Sequence, residues 1–138
     1  EGHAWLRDRL PMPIAAGENL YTVHGFTPMF ACRGCDYVMP DILRCGGIGQ
    51  TRLICEAAER EGFIATPHNF SSGVGLAATL HLMAAVPQTR LLEYDTSRTS
   101  IYEEMFLEPL VVKDGRVRVP TVPGLGVALT EEIIAKYR

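Results

Sequence analysis

Short apolar runs, each closed by a single ionisable residue, recur through the first two thirds of this chain with helix-like segments between them. Pro13-Ile14-Ala15-Ala16-Gly17 ends on Glu18, Asp36-Tyr37-Val38-Met39-Pro40 on Asp41, Phe63-Ile64-Ala65-Thr66-Pro67 on His68, and Leu91-Leu92 on Glu93. The closing residues stand 23, 27 and 25 positions apart. A strand of a parallel sheet is buried on both faces and reads as a continuous apolar run, and its crossover needs a dozen or more residues, usually a helix. The rhythm therefore predicts successive βα units around a parallel sheet. Its period is close to the about 31 residues of one unit of an eight-stranded (β/α) barrel.

The intervening segments carry helix signals. Thr27-Pro28 predicts a helix start with proline at the first helical position, and Gly34 predicts its end. After the Gly46-Gly47 turn, residues 49–61 set Leu53, Ile54, Ala57 and Ala58 against Arg52, Glu59 and Arg60, with Gly62 as the stop. Asn69-Phe70-Ser71-Ser72 leads into a helix over about 73–86, apolar nearly all round and therefore buried, which Pro87 ends. His81 lies inside that helix and is expected to be a satisfied core or interface histidine.

The last third changes period. Asp114-Gly115 between Leu110-Val111-Val112-Lys113 and Arg116-Val117-Arg118-Val119 is a hairpin signal, and Thr130 is placed to cap a helix over about 131–137. The expected organisation is βα units over residues 1–104 and a hairpin and helix extension over 105–138, packed on them without a linker.

Composition excludes several function classes. Thirteen Lys and Arg against sixteen Asp and Glu give a net charge of −3 with no basic stripe, which argues against nucleic acid as a partner. Trp5 and the other aromatics form no stacking ladder. No apolar run approaches the ~18 residues of a membrane span, and EGHAWLRDRL has no signal-peptide anatomy, so a soluble, cytoplasmic protein without a membrane partner is expected. The first residue is not Met, which suggests a piece of something longer. Cys32-x-x-Cys35 has no second close pair, because Cys45 and Cys55 stand ten positions apart; the four are expected to be reduced thiols, with a zinc-stabilised module as the rival. Gly46-Gly47-Ile48-Gly49 is read as turn geometry rather than an anion cradle.

In a parallel sheet all C-terminal strand ends lie on one face, and in (β/α) barrels that face carries the active site. One strand-end carboxylate would be an ordinary helix cap or a solvated edge. The series Glu18, Asp41, His68 and Glu93 suggests a site rather than chance surface charge.

The segments PIAAGEN (13–19), DYVMPDILRCGGI (36–48), ATPHNF (65–70), LLEYD (91–95) and EPLVVKDGRVRVPTVPGLGV (108–127) resemble, in order and spacing, the mandelate racemase / muconate lactonizing enzyme branch of the enolase superfamily, most of all its acid-sugar dehydratases. The resemblance implies an α/β fold: the C-terminal half of a modified TIM (β/α) barrel, strands five to eight, with a C-terminal hairpin and helix returning toward the capping domain. It implies a Mg2+-dependent lyase that abstracts the proton α to a carboxylate through an enediolate, most often dehydrating a sugar acid to a 2-keto-3-deoxy acid. Glu18 matches the third carboxylate ligand of Mg2+, a hard cation that prefers oxygen donors. Asp41 and His68 match the catalytic dyad, in which the carboxylate orients and charges the imidazole for proton transfer. Glu93 matches the acid that hydrogen-bonds the substrate carboxylate, a role for its neutral form.

The family's other metal ligands, on strands three and four, and its strand-two lysine motif fall before the matched region. The isolated 138-residue chain is therefore expected to be inactive and to need the missing N-terminal half for a complete site. A racemase or epimerase of the same branch is the alternative chemistry. The alternative class is a non-catalytic half-barrel whose open sheet edges drive it to dimerise or bind a partner half, and a homo-oligomer is expected.

Overall fold

A computed structural model describes residues 1–70, 72–97 and 100–138; Ser71, in the expected lead-in to the apolar helix, lies outside them. Three short strands, β1 (Ala15–Ala16), β2 (Tyr37–Val38) and β3 (Ile64–Ala65), form a parallel sheet in the order β1-β2-β3. Ala16 pairs with Val38, and Val38 with Ala65. The ladder runs on past the strands: the Thr66 N–H donates to Val38 O at 2.8 Å, the His68 N–H to Pro40 O at 3.1 Å, and Asp41 bridges His68 in parallel. Alternation sends Val38, Pro40, Ala65 and Pro67 to one face, where all four are buried under the helices. Tyr37, Met39 and Asp41, with Ile64, Thr66 and His68, take the other face. The parity of the runs thus delivers Asp41 and His68 to the same side of the sheet.

The helices that cover the sheet are α2 (Thr22–Ala31), α3 (Gly47–Arg60) and α4 (Gly73–Ala85). Phe26, Phe30, Cys45, Ile54 and Ala58 pack on Val38, while Ala78 and Leu82 pack with Ala65 and Cys55. Gly62, at φ +78°, closes α3, and Ser72 caps α4 by accepting from Gly75 N.

Helix α2 starts at Thr22, well before the expected first helical position Pro28, which lies inside it. Its cap is tertiary: the Thr22 N–H donates to Cys45 O and the Val23 N–H to the Gln50 amide oxygen, so α3 and its entry loop satisfy the amides a local cap would have taken. The expected stop holds, with Arg33 at φ +50° and the Gly34 N–H bonded to Met29 O.

The run Leu91-Leu92 does not form a strand. One parallel bridge, Ala65 with Thr89, and one bond, from Arg90 N to Ala65 O, stand in for it; Leu91 is exposed. Leucine is not β-branched and two of them make a weak strand signal. The Asn69 N–H donates instead to the Glu93 carboxylate. His81 also departs from expectation: it is half-buried on α4, and its buried Nε2 has no hydrogen-bond partner among the described residues.

The segment after α4 contributes α5 (Ser100–Glu104), the hairpin β4 (Val112–Lys113) and β5 (Arg116–Val117), and α6 (Glu131–Lys136). Asp114 and Gly115 turn the hairpin at φ +52° and +70°, and the Thr130 side chain caps α6 by accepting from Ile133 N. Leu110, Val117, Val119, Leu125 and Val127 pack on Leu76, Ala77, Leu80, Tyr102 and Phe106, so this tail covers α4. At the other end α1 (Gly2–Arg7) had no sequence signal strong enough to predict it; Asp36 anchors it, accepting from Arg7 Nε and from the Ile14 N–H, both at 2.8 Å.

All four cysteines are free thiols, Cys32 half-buried and the others buried. Burial pushes the Cys35 thiol up to about 11 and the Cys55 thiol up to about 12. Among the described residues no helix is long and apolar enough to cross a membrane.

Candidate active site

Asp41 is 2% exposed and spends both oxygens within the protein. Oδ1 accepts from the Leu43 N–H at 2.8 Å; Oδ2 lies 2.9 Å from His68 Nδ1, with Arg44 Nε at 3.8 Å. A buried carboxylate is tolerated when donors surround it, and these do. A carboxylate only accepts, so the tautomer that fits this contact has its proton on His68 Nδ1 and leaves Nε2 as the ring nitrogen free of Asp41. That Nε2 lies 3.8 Å from Glu93 Oε2, on the same face.

Glu93 is held by the strand that carries the histidine. The Asn69 N–H donates to Glu93 Oε2 at 2.8 Å, and the Asn69 amide donates to the Tyr102 hydroxyl at 2.7 Å. The Glu93 side chain keeps 40% of its surface exposed, against 18% for His68, so the two open together on solvent at the C-terminal strand ends.

Asp41, His68 and Glu93 therefore come together, and Glu18 makes no direct bond to any of the three among the described residues. Its Oε2 accepts from the Gly17 N–H at 3.2 Å and its Oε1 from the Asn19 amide at 3.1 Å. Asn19 accepts in turn from Arg44 Nη1 at 2.8 Å, which links Glu18 to Asp41 through side chains. Gly17 makes the turn that presents Glu18: its φ is +130°, and a Cβ there would sit 2.8 Å from the Phe26 ring.

As a donor set for a hard divalent cation, Glu18 offers one half-buried carboxylate. Among the described residues no three of His, Cys, Asp or Glu gather as a metal-holding group. An octahedral Mg2+ site usually takes one or two carboxylates with waters and substrate oxygens, so the chemistry of Glu18 fits a single ligand of such a site and not a whole one.

Sequence reasoning missed Arg44, Asn19, Asn69 and Tyr102. The first three lie inside the segments that carried the resemblance, adjacent to or three residues from a named site residue, and polar identity beside a strand end was the available signal. Tyr102 had none, because it reaches Asn69 from 33 positions away.

The family described as "Enolase C-terminal domain-like" matches residues 1–133. The chain belongs to that family. Its relatives include acid-sugar dehydratases: D-xylonate dehydratase of Haloferax volcanii is 33% identical over 125 residues, covering 91% of this chain and 30% of the relative. The crystal structure of a mandelate racemase/muconate lactonizing enzyme-like protein from Rubrobacter xylanophilus superposes with a TM-score of 0.86 at 37% identity, over 99% of this chain and 35% of that one. A Burkholderia xenovorans protein solved bound to magnesium and fumarate gives 0.89 at 29% identity, over 98% and 33%. The enolase-superfamily relatives are TIM-barrel enzymes, and this chain is the C-terminal part of that barrel domain, spanning about a third of the length of the proteins it matches.

Proposed function

We propose that this chain supplies the proton-transfer half of a Mg2+-dependent sugar-acid dehydratase. The carrying observation is the Asp41–His68 pair at 2.9 Å, with His68 Nε2 turned to the open face beside Glu93. Asp41, buried and fully bonded, fixes the imidazole with Nδ1 protonated and stabilises the imidazolium that forms when Nε2 accepts a proton. His68 takes the proton α to the substrate carboxylate or gives one to the departing β-hydroxyl, with the complementary transfer left to another group of the complete site; loss of the hydroxyl as water leaves an enol, which ketonises to the 2-keto-3-deoxy acid. Glu93, in its neutral form, donates a hydrogen bond to the substrate carboxylate as negative charge develops there. Glu18 would be this chain's ligand to Mg2+, which when bound supplies Lewis-acid stabilisation of that same charge. One carboxylate is too few for such a site, so on this reading the other ligands would come from the N-terminal half of the barrel and the 138-residue chain alone should be inactive.

The test uses the full-length protein that contains this segment, with Mg2+ and a panel of sugar acids that includes D-xylonate. Proton exchange at the α-carbon in D2O is followed by NMR, and 2-keto product by semicarbazone absorbance. H68N should lose dyad-dependent exchange and turnover. Wild-type exchange and turnover in H68N would overturn the proposal, and inverted substrate with no 2-keto product would reassign the reaction as epimerisation.

A further inference from the structure

We infer that Tyr102, acting through Asn69, is a positioning residue for Glu93 and sets which of its two oxygens meets the substrate. The inference rests on the proposed role of Glu93 as the acid that meets the substrate carboxylate. The geometry is a buried clamp. Asn69 is 3% exposed and Tyr102 5%, and the Asn69 amide donates to the Tyr102 hydroxyl at 2.7 Å. That bond fixes the Asn69 side chain, and through it the backbone N–H of the same residue, which donates to Glu93 Oε2 at 2.8 Å. The amide also reaches the Glu93 carbonyl, at 3.5 Å. One residue therefore holds the acid by its carboxylate and by its backbone, and it directly follows His68 in the chain.

The consequence lies in the proton. An oxygen that accepts a backbone N–H is better as the carbonyl-type oxygen of a neutral carboxyl than as its hydroxyl. Oε2, with Asn69 N on it and His68 Nε2 at 3.8 Å, is that oxygen. Oε1 has no protein hydrogen bond among the described residues and is left to carry the proton toward substrate. Without the clamp the carboxyl could rotate and present either oxygen. Glycine at the start of α4 permits the close packing of α5 beside it: an ideal Cβ on Gly73 would lie 2.5 Å from the Tyr102 carbonyl oxygen and 3.3 Å from the Phe106 ring. The close approach of α5 to α4 brings the Tyr102 hydroxyl to Asn69.

Y102F deletes one hydroxyl and keeps the ring that packs with Leu76 and Phe106. In the full-length protein, with the sugar-acid assay described above, Y102F should lower kcat by about 10- to 100-fold, the scale of a misplaced reacting group, with KM changed much less. N69A, which also removes the amide's contact to the Glu93 carbonyl, should lower kcat at least as much, and the double variant should be no worse than N69A alone, because Y102F cuts a link that N69A has already cut. Additive losses, or a Y102F enzyme with wild-type kcat and an unchanged melting temperature, would overturn the inference. Should Y102F fail to fold, N69S carries the same test. E93Q separates the two readings: if E93Q turns over like wild type, the role of Glu93 fails, whereas an inactive E93Q beside an unaffected Y102F fails only the clamp.

Discussion

Replacing Gly73 by alanine isolates the close approach on which the tail depends. The new Cβ would lie 2.5 Å from the Tyr102 carbonyl oxygen, well inside the 3.4 Å at which ordinary contact begins. The obstacle is backbone, not the end of a flexible side chain, so α5 must move away and loosen the contacts of Tyr102 and Phe106 on Leu76 and Ala77. Overpacking of this kind costs about 1–3 kcal/mol. Alanine returns at most about 1 kcal/mol of helix propensity, and less at the first residue of a helix. The net expectation is a loss of about 1–2 kcal/mol, read as a lower urea midpoint at unchanged slope, or a fall of about 3–8 °C in Tm. Gly49 provides the control. It sits in α3 with nothing within 4 Å of its would-be Cβ and without a left-handed φ, so G49A should stabilise by up to about 1 kcal/mol. The two substitutions are chemically identical and should differ in sign. A G73A chain as stable as wild type, or a destabilised G49A, would refute the steric reasoning.

The Ile14 N–H and the Arg7 guanidinium hold the Asp36 carboxyl below the usual carboxylate range. Asp36 therefore contributes stability above its unfolded value of about 3.9, which is lost as pH falls through the folded value. The gap between wild type and D36N should be present at pH 7 and close in acid, and a pH-independent gap would show that the carboxylate charge is not the cause. Thiolate reactivity supplies a further check. Cys35, Cys45 and Cys55 are buried, with burial raising each thiol, while Cys32 is half-buried. Ellman's reagent at pH 8 should label Cys32 first in the native chain and all four only after denaturation, and rapid native labelling of C32S would contradict the burial.

What the sequence determined by itself was local and periodic. The apolar runs placed Asp41 and His68 at neighbouring strand ends, and alternation along each strand, once the Val38–Ala65 register is set, puts both on one face. The α3 and α4 helices, the Asp114-Gly115 hairpin and the Thr130 cap were legible for the same reason, since each is set by neighbours within about four positions. Tertiary structure decided the rest. Helix α2 begins at Thr22 because Cys45 and Gln50, from another part of the chain, satisfy its first amides, and no pattern within the helix announces that. Leu91-Leu92 read as a strand from its apolarity, but the Glu93 carboxylate takes the Asn69 amide beside it. Asn69 meets Tyr102 across 33 positions, beside the point where Gly73 lets the Tyr102 backbone come close to α4. A single chain encodes hydrogen-bond period and polarity residue by residue; which distant groups meet depends on how the packed elements fit, and that is decided only when the whole core forms.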